Sequence, residues 1–211
     1  MIRLVLLSDT HEFHRQITVP EGDVLVHAGD ATWRGSNRAV QNFDDWLGGL
    51  PHRYKVFVPG NHDFYFERNP KATLKNATVL LDSAVEIQGL LFYGSPYTPA
   101  FCDWAFQLHG RRQAKAKWKG IPSRTRVLVT HGPPFSVLDW TDAEQTPNLG
   151  CRDLLTRVAE LSRPLLNVFG HIHGGYGQRT LGEAHFVNAS ICDEAYRPVN
   201  PPIVVDVTEA E

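Results

Sequence analysis

The chain has 211 residues, 42% of them hydrophobic and 21% charged, with a formal net charge of −2 at pH 7. That composition suits one globular domain with a sizeable core, and the charge gives no basis for a nucleic-acid coat or a polybasic membrane anchor. Cys102, Cys151 and Cys192 are widely spaced and form no CxxC pair. Neither a disulfide framework nor a cysteine zinc site is therefore expected, and a reducing, cytoplasmic location fits.

The opening MIRLVLLSDT holds an apolar run of only about five residues, too short for a signal-peptide core or a membrane span. It reads as a buried first strand over Ile2–Leu7. Further apolar, β-branched runs predict strands at Val24–His27, 54–58, 78–81, 85–88, 90–93, 126–130, Leu165–Phe169, 185–188 and Ile203–Val207. Their near-continuous apolar character suggests burial on both faces. Between the second and third strands, SNRAVQNFDDWLGGLP places Val40, Phe43, Leu47 and Leu50 on one helical face, with Ser36 as cap and Gly48-Gly49 then Pro51 as stop. RRQAKAKWK (111–119) carries five cations and reads as a solvated helix face, or else as a rim that attracts anions. CRDLLTRVAELSRP repeats the amphipathic pattern with Leu154, Leu155, Val158 and Leu161 and should stop before Pro164. Alternating strands and helices, with hairpins in the middle, suggest a single α/β domain of stacked sheets flanked by helices.

Five of these strands run out into the same kind of chemistry. The first leads to Asp9 and His11, the second to Asp30, and the third to Asn61, His62 and Asp63. A later strand reaches His131, and the one over Leu165–Phe169 delivers GHIH, with His171 and His173. Each fragment alone is weak. Open α/β sheets, however, place their ligand crevice beyond the carboxyl ends of the strands, so five such ends point to one site. Mixed oxygen and imidazole donors without thiolates suit divalent Mn, Fe or Zn; of these, Mn is the expected metal. The set exceeds what one tetrahedral ion needs and suits a pair of ions sharing a carboxylate. The glycines of FGHIHGGYG belong to no GxxxxGK pattern, so they read as a sharp turn beside the histidines and not as a nucleotide-phosphate cradle.

The motifs D-x-H, G-D, G-N-H-D, T-H-G-P-P and G-H-x-H, in this order from Asp9 to His173, resemble the calcineurin-like metallophosphoesterase superfamily. FDDWLGGLP, YGSPYTP, GCRDLL, NAS (188–190) and NPPI (200–203) narrow the resemblance to the metallophosphoesterase-domain-containing branch, related to class III cyclic-nucleotide phosphodiesterases. The resemblance implies a four-layer α/β/β/α sandwich of two stacked mixed sheets flanked by helices. It implies that Asp9, His11 and His173 hold a first ion, that Asp30 bridges, and that Asn61, His131 and His171 complete a second. Some members of the branch carry glycine at the His171 position and have a weakened second site. His62 would stand near the leaving group, with Asp63 orienting its imidazole.

The implied activity is hydrolysis of small phosphodiesters, cyclic nucleotides among them, by a hydroxide activated at a dinuclear centre. A phosphomonoesterase or nuclease could use the same centre, and a non-catalytic scaffold would keep the fold alone. The expected partner is a small phosphoester, nucleotides included, with no membrane and no stable nucleic-acid partner; the oligomeric state is not legible. Aromatic residues near the motifs, including Trp33, Phe64, Tyr65 and Phe101, read as packing or lid residues. Tyr97 and Trp104 are the candidates to stack on a base, and His14 is a candidate for the pocket lining. His27, within an apolar strand, should be a buried, hydrogen-bonded core residue.

Overall fold

The computed structural model describes residues 1–141, 148–161 and 165–208. The expected helix stop at Pro164 lies outside them.

The first sheet is built from β1 (Ile2–Leu7), β2 (Val24–His27), β3 (Tyr54–Phe57), β4 (Thr78–Val79) and, at the other edge, Ile203–Val207. The second uses β5 (Ser83–Ile87) and β6 (Leu90–Ser95). A small pair, β7 (Thr98–Pro99) and β8 (Gln107–Leu108), stands apart. β9 (Val127–Thr130), β10 (Leu165–Phe169), β11 (Gly177–Leu181) and β12 (Ala184–Asn188) complete the second sheet, and Ile203–Val207 is β13. The strand orders are β13-β1-β2-β3-β4 and β11-β12-β10-β9-β6-β5. β1 to β4 run parallel, as do β6, β9, β10 and β12, whereas β13, β11 and β5 are antiparallel edges. Among the described residues the α-helices are α1 (Asn37–Gly48), α2 (Phe64–Arg68), α3 (Arg111–Lys119) and α4 (Arg152–Glu160).

The period-2 alternation of a strand explains why these segments read as continuous apolar runs. Leu4 and Leu6 of β1 join Val26, Val56, Phe92, Val129 and Val168 in the layer between the sheets. Their neighbours Val5 and Leu7 face the other way, onto Phe43, Trp46 and Leu47 of α1. On the far side, Leu128, Phe169 and Phe186 pack against Trp118 of α3 and Leu154 and Val158 of α4. The result is a helix, sheet, sheet, helix sandwich with a core on each side of both sheets. Each fully buried Val, Leu or Phe contributes roughly 1.5–3 kcal/mol.

Local signals agree with the sequence where they are strong. Ser36 Oγ accepts the N–H of Ala39 at 3.1 Å and starts α1. On α3, Ala114 and Trp118 are buried, Arg111 pairs with Asp153 and Lys117 with Asp82, so part of the basic run is neutralised locally. β11 carries no such signal, because GQRTL is a largely exposed edge strand with no apolar alternation. Nor does α2, whose single turn is too short to show a period.

The parallel strand directions gather the chemistry-bearing turns in one place. β1, β2 and β3 end on one margin of the first sheet, β9 and β10 on one margin of the second. The two margins are joined where residues 189–191 run alongside Ser8: Ser8 N–H donates to Ala189 O and Ile191 N–H to Ser8 O, both at 2.8 Å.

Candidate metal centre

At that junction the chain turns immediately after each strand, and several turns use backbone geometry that most residues avoid. Asp9, His11, Asp30 and His171 have φ of 53°, 41°, 55° and 68°. Such left-handed conformations cost about 1–3 kcal/mol each and tend to be held by surrounding structure at functional sites. Glycines leave room for the carboxylates: a Cβ on Gly170 would lie 1.9 Å from Asp9 Oδ2, and one on Gly60 would lie 2.2 Å from Asp30 Oδ1.

The side chains delivered this way form overlapping groups. Donor atoms of Asp9, His11 and His173 lie within 4.8 Å of one another, as do those of Asp30, His131 and His171, and those of His11, Asp30 and His62. Asp30 belongs to two groups. Its Oδ1 accepts the His62 N–H at 2.8 Å, while Oδ2 stands 3.3 Å from His131 Nε2, 3.9 Å from His62 Nε2 and 4.0 Å from His11 Nε2. Asp9 accepts the N–H of His171 on both oxygens, and its Oδ1 lies 3.4 Å from His173 Nε2.

The far nitrogens fix the ring orientations. His131 Nδ1–H donates to Ala28 O and His173 Nδ1–H to Asp193 O, each at 2.9 Å. A neutral ring so held turns the lone pair of Nε2 toward the carboxylates, the arrangement typical of imidazole metal ligands. His131 Nε2 also lies 2.8 Å from Asn61 Oδ1. An imidazole lone pair, an amide oxygen and a carboxylate oxygen that converge are suited to a cation between them. Among protons alone, that cation sits on the imidazoles: burial disfavours it, but Asp30 and Asp9 hold the His131 pKa up at about 9 and Asp9 raises that of His173. His11 and His171 remain neutral, pushed down to about 4 and about 3 chiefly by burial. Burial opposes ionisation of Asp9 and Asp30, yet the imidazoles hold both below the ordinary carboxylate range. This donor set fits a divalent ion.

Above it opens a cleft of about 560 Å³ lined by Asp30, Asn61, His62, His171 and His173, with Phe101, Trp104 and Tyr196 at its walls. Trp104 lies almost flat on His62, ring centroids 4.1 Å apart and planes 27° apart. Asp63 does not orient His62 as the resemblance implied. The His62 Nδ1–H donates to Trp33 O at 3.0 Å, and the Asp63 carboxylate instead accepts the N–H groups of Gly60, Ala31 and Thr32 and the Thr32 hydroxyl. Asp63 thus ties the turn after β3 to the turn after β2, and burial together with nearby Asp30 raises its pKa to about 6.

Two other expectations are corrected. His14 is buried beside Phe43 and Trp46, with Nε2 2.8 Å from Asn42 Oδ1, and does not line the cleft. Tyr97 packs edge-on against Phe106 and under Lys117, where it borders a separate cavity. Conversely, Tyr196 is a cleft residue that the sequence reading does not reach. It covers His11 and His173 at centroid distances of 4.9 and 5.2 Å, from a loop that no strand-end pattern identifies. Its sequence signal is only an aromatic residue shortly after NAS.

A family model described as calcineurin-like phosphoesterase matches residues 2–175. The chain belongs to the calcineurin-like phosphoesterase family. This family is one of metal-dependent phosphoesterases, and the Asp and His groups above could hold its ions. The chain is 40% identical over 231 residues to human metallophosphoesterase domain-containing protein 1, covering 97% of this chain and 71% of that protein. A 3',5'-cyclic-nucleotide phosphodiesterase from Nostoc sp. is 23% identical over 188 residues, covering 82% of this chain and 64% of its own. A solved crystal structure superposes with a TM-score of 0.61 at 16% identity, over 88% of this chain and 89% of that one, a likeness of fold. The calcineurin-like fold thus accounts for the two stacked mixed sheets. Among the described residues, no helix is long and apolar enough to cross a membrane.

Proposed function

We propose that this single domain hydrolyses small phosphodiesters, cyclic nucleotides among them, using two divalent ions, with Mn favoured. The observation that carries the reading is the position of Asp30 Oδ2, which faces His131, His62 and His11 at 3.3 to 4.0 Å and so stands between two donor groups. Asp9, His11 and His173 would hold one ion and Asn61, His131 and His171 the other, with Asp30 shared. When bound, the ions neutralise phosphoryl oxygens and bring the pKa of water towards neutrality.

The protein's own groups supply the rest. His62 has its Nδ1–H committed to Trp33 O, so Nε2 is free to meet a substrate oxygen, and the Trp104 face keeps the ring in that plane. A protonated His62 donates to the departing alkoxide, whose basicity makes it a poor leaving group. Phe101 and Tyr196, 40% and 39% exposed at the cleft walls, offer apolar faces to the organic part of the ester. The name of the Nostoc relative supports the diester preference. Three free cysteines, two of them buried, support a reducing, cytoplasmic setting.

The test is a Mn²⁺-supplemented screen of cyclic nucleotides, linear diesters and monoesters. Diesters should turn over fastest, and turnover should vanish with a chelator. Turnover of monoesters alone would replace the reading with a phosphomonoesterase, and no turnover in metal-loaded protein would leave a scaffold.

A further inference from the structure

Two segments of the sequence, NAS (188–190) and NPPI (200–203), supply none of the donor atoms of the metal centre, yet NAS lies against it and NPPI lies against NAS. The Ser190 hydroxyl donates to Asp9 Oδ2 at 2.8 Å. The same Oγ lies 2.8 Å from Asn188 Oδ1, so two oxygens compete for its one proton, and the charged Asp9 carboxylate is the stronger acceptor; Asn188 Oδ1 accepts the Ser190 N–H at 3.2 Å. The other end of the Asn188 amide is fully engaged: Nδ2 donates to Ile172 O at 2.8 Å and to Leu138 O at 3.1 Å. Ile172 is the residue between His171 and His173. Asn200 closes the arrangement, with its Nδ2 donating to Ser190 O at 3.0 Å and its N–H to Ile191 O at 3.0 Å. Asn188 and Ser190 are completely buried.

We infer that Asn188, Ser190 and Asn200 are positioning residues for the metal centre, with Ser190 acting on the Asp9 site and Asn188 on the turn that carries both His171 and His173. The inference rests on the metal-dependent reading of the site. Its physical content is a division of labour on Asp9. Of the carboxylate's acceptor positions, the His171 N–H and the Ser190 hydroxyl occupy those that face the protein. What is left on Oδ1 faces His173. Without the hydroxyl the carboxylate can rotate about its Cβ–Cγ bond, and the lone pair aimed at the ion is no longer fixed. Asn188 works differently. Its two donors grip a carbonyl inside GHIH and one in the loop at Leu138, so it sets where the turn stands relative to β12. Asn200 holds the Ser190 carbonyl, while Asn188 holds its N–H. Residues 189–191 also stitch the two sheets together at Ser8, so these three residues align the donors of one sheet with those of the other.

The test separates the two sites. Co²⁺ affinity is measured by titration and visible absorption in two backgrounds, His171→Gly, which keeps the Asp9 site, and His11→Ala, which keeps the His131 site. Ser190→Ala should weaken Co²⁺ binding about 10–100-fold in the first background and leave it unchanged in the second, the size typical for partners that orient a ligand. Ser190→Thr, which keeps the hydroxyl, should recover most of the loss. Asn188→Ala should weaken both backgrounds. Thermal melts in chelator show whether each variant is folded. Equal affinity for Ser190→Ala and its parent in the first background would overturn the inference, as would an equal loss in both. If the unsubstituted chain itself binds no ion, it is the metal-dependent reading that fails, whereas two ions in the parent with no effect of Ser190→Ala defeats the inference alone.

Discussion

Asp30 Oδ2 lies 3.3 Å from His131 Nε2, and the other oxygen of the same carboxylate is held by the His62 backbone N–H at 2.8 Å. The second contact fixes the rotation of the carboxylate, so the first oxygen must face the imidazoles. It also links residues that arrive from the turns after β2, β3 and β9, which are far apart in the chain.

Asp30→Asn should therefore weaken both ion sites at once. Loss of a direct ligand should exceed the 10–100-fold effect of an orienting partner, so turnover should fall by more than about a hundredfold. Metal analysis should find less than one tightly held ion per chain; two would refute the shared role.

His171→Gly removes a donor from one site only. Elemental analysis should show one ion retained and one lost. Retention of both ions, or loss of the ion held by Asp9, His11 and His173, would contradict the proposed division of donors.

His62 tests a different step. His62→Ala should leave the metal content unchanged and lower turnover by about 10²–10⁴-fold on esters with poor leaving groups. The loss should be much smaller for a nitrophenolate, which needs no proton. A uniform loss across leaving groups would assign His62 to phosphate binding instead.

His27 contributes to acid sensitivity from outside the donor groups. Its Nδ1 accepts the Gly29 N–H and its Nε2–H donates to Thr10 Oγ1, in a site without water access. Burial depresses its pKa to about 3, so the folded protein keeps it neutral while the unfolded chain protonates near 6.5. This contribution is therefore intact above pH 6.5 and is lost as pH falls from there towards 3, at up to about 1.4 kcal/mol per pH unit. In chelated protein, His27→Gln should lower stability at about pH 7.5 and flatten its decline over that window. Parallel stability curves for the two proteins would disprove it.

Gly170→Ala would bring a methyl group to within 1.9 Å of Asp9 Oδ2. The carboxylate must move, and the ion held by Asp9 should bind at least about tenfold more weakly, as read by Co²⁺ titration. Unchanged affinity would mean that the turn relaxes freely.

Much of the centre is legible in the sequence because strand ends advertise themselves. A buried strand is an apolar run, and Asp9, Asp30, Asn61, His131 and His171 each come within a few residues of the end of one. Ser36 and the apolar stripe of α1 are legible for the same reason, being set by local periodicity. Direction within loops is not. Asp63 is next to His62 in sequence, yet its side chain turns to the backbone of residues 31 and 32, and Trp33 O serves the imidazole instead. His14 and Tyr97 stand close to motifs, but proximity along the chain does not determine which side of a layer a side chain enters. Tyr196 comes from a non-periodic loop closed by the local Arg197–Asp193 pair, but its place in the cleft is set by contacts with His11 and Trp33, far away in the chain and without a local signature.

The left-handed backbone at four of the donor residues has a consequence for how such a centre can be lost. Glycine accepts φ near 68° without the steric penalty that histidine carries there. Replacing His171 by glycine therefore trades an ion for relief of backbone strain. The chelated His171→Gly protein should melt no lower than its parent even though its second site is gone. Selection for fold stability alone would not preserve this histidine; only a continuing demand for the second ion would.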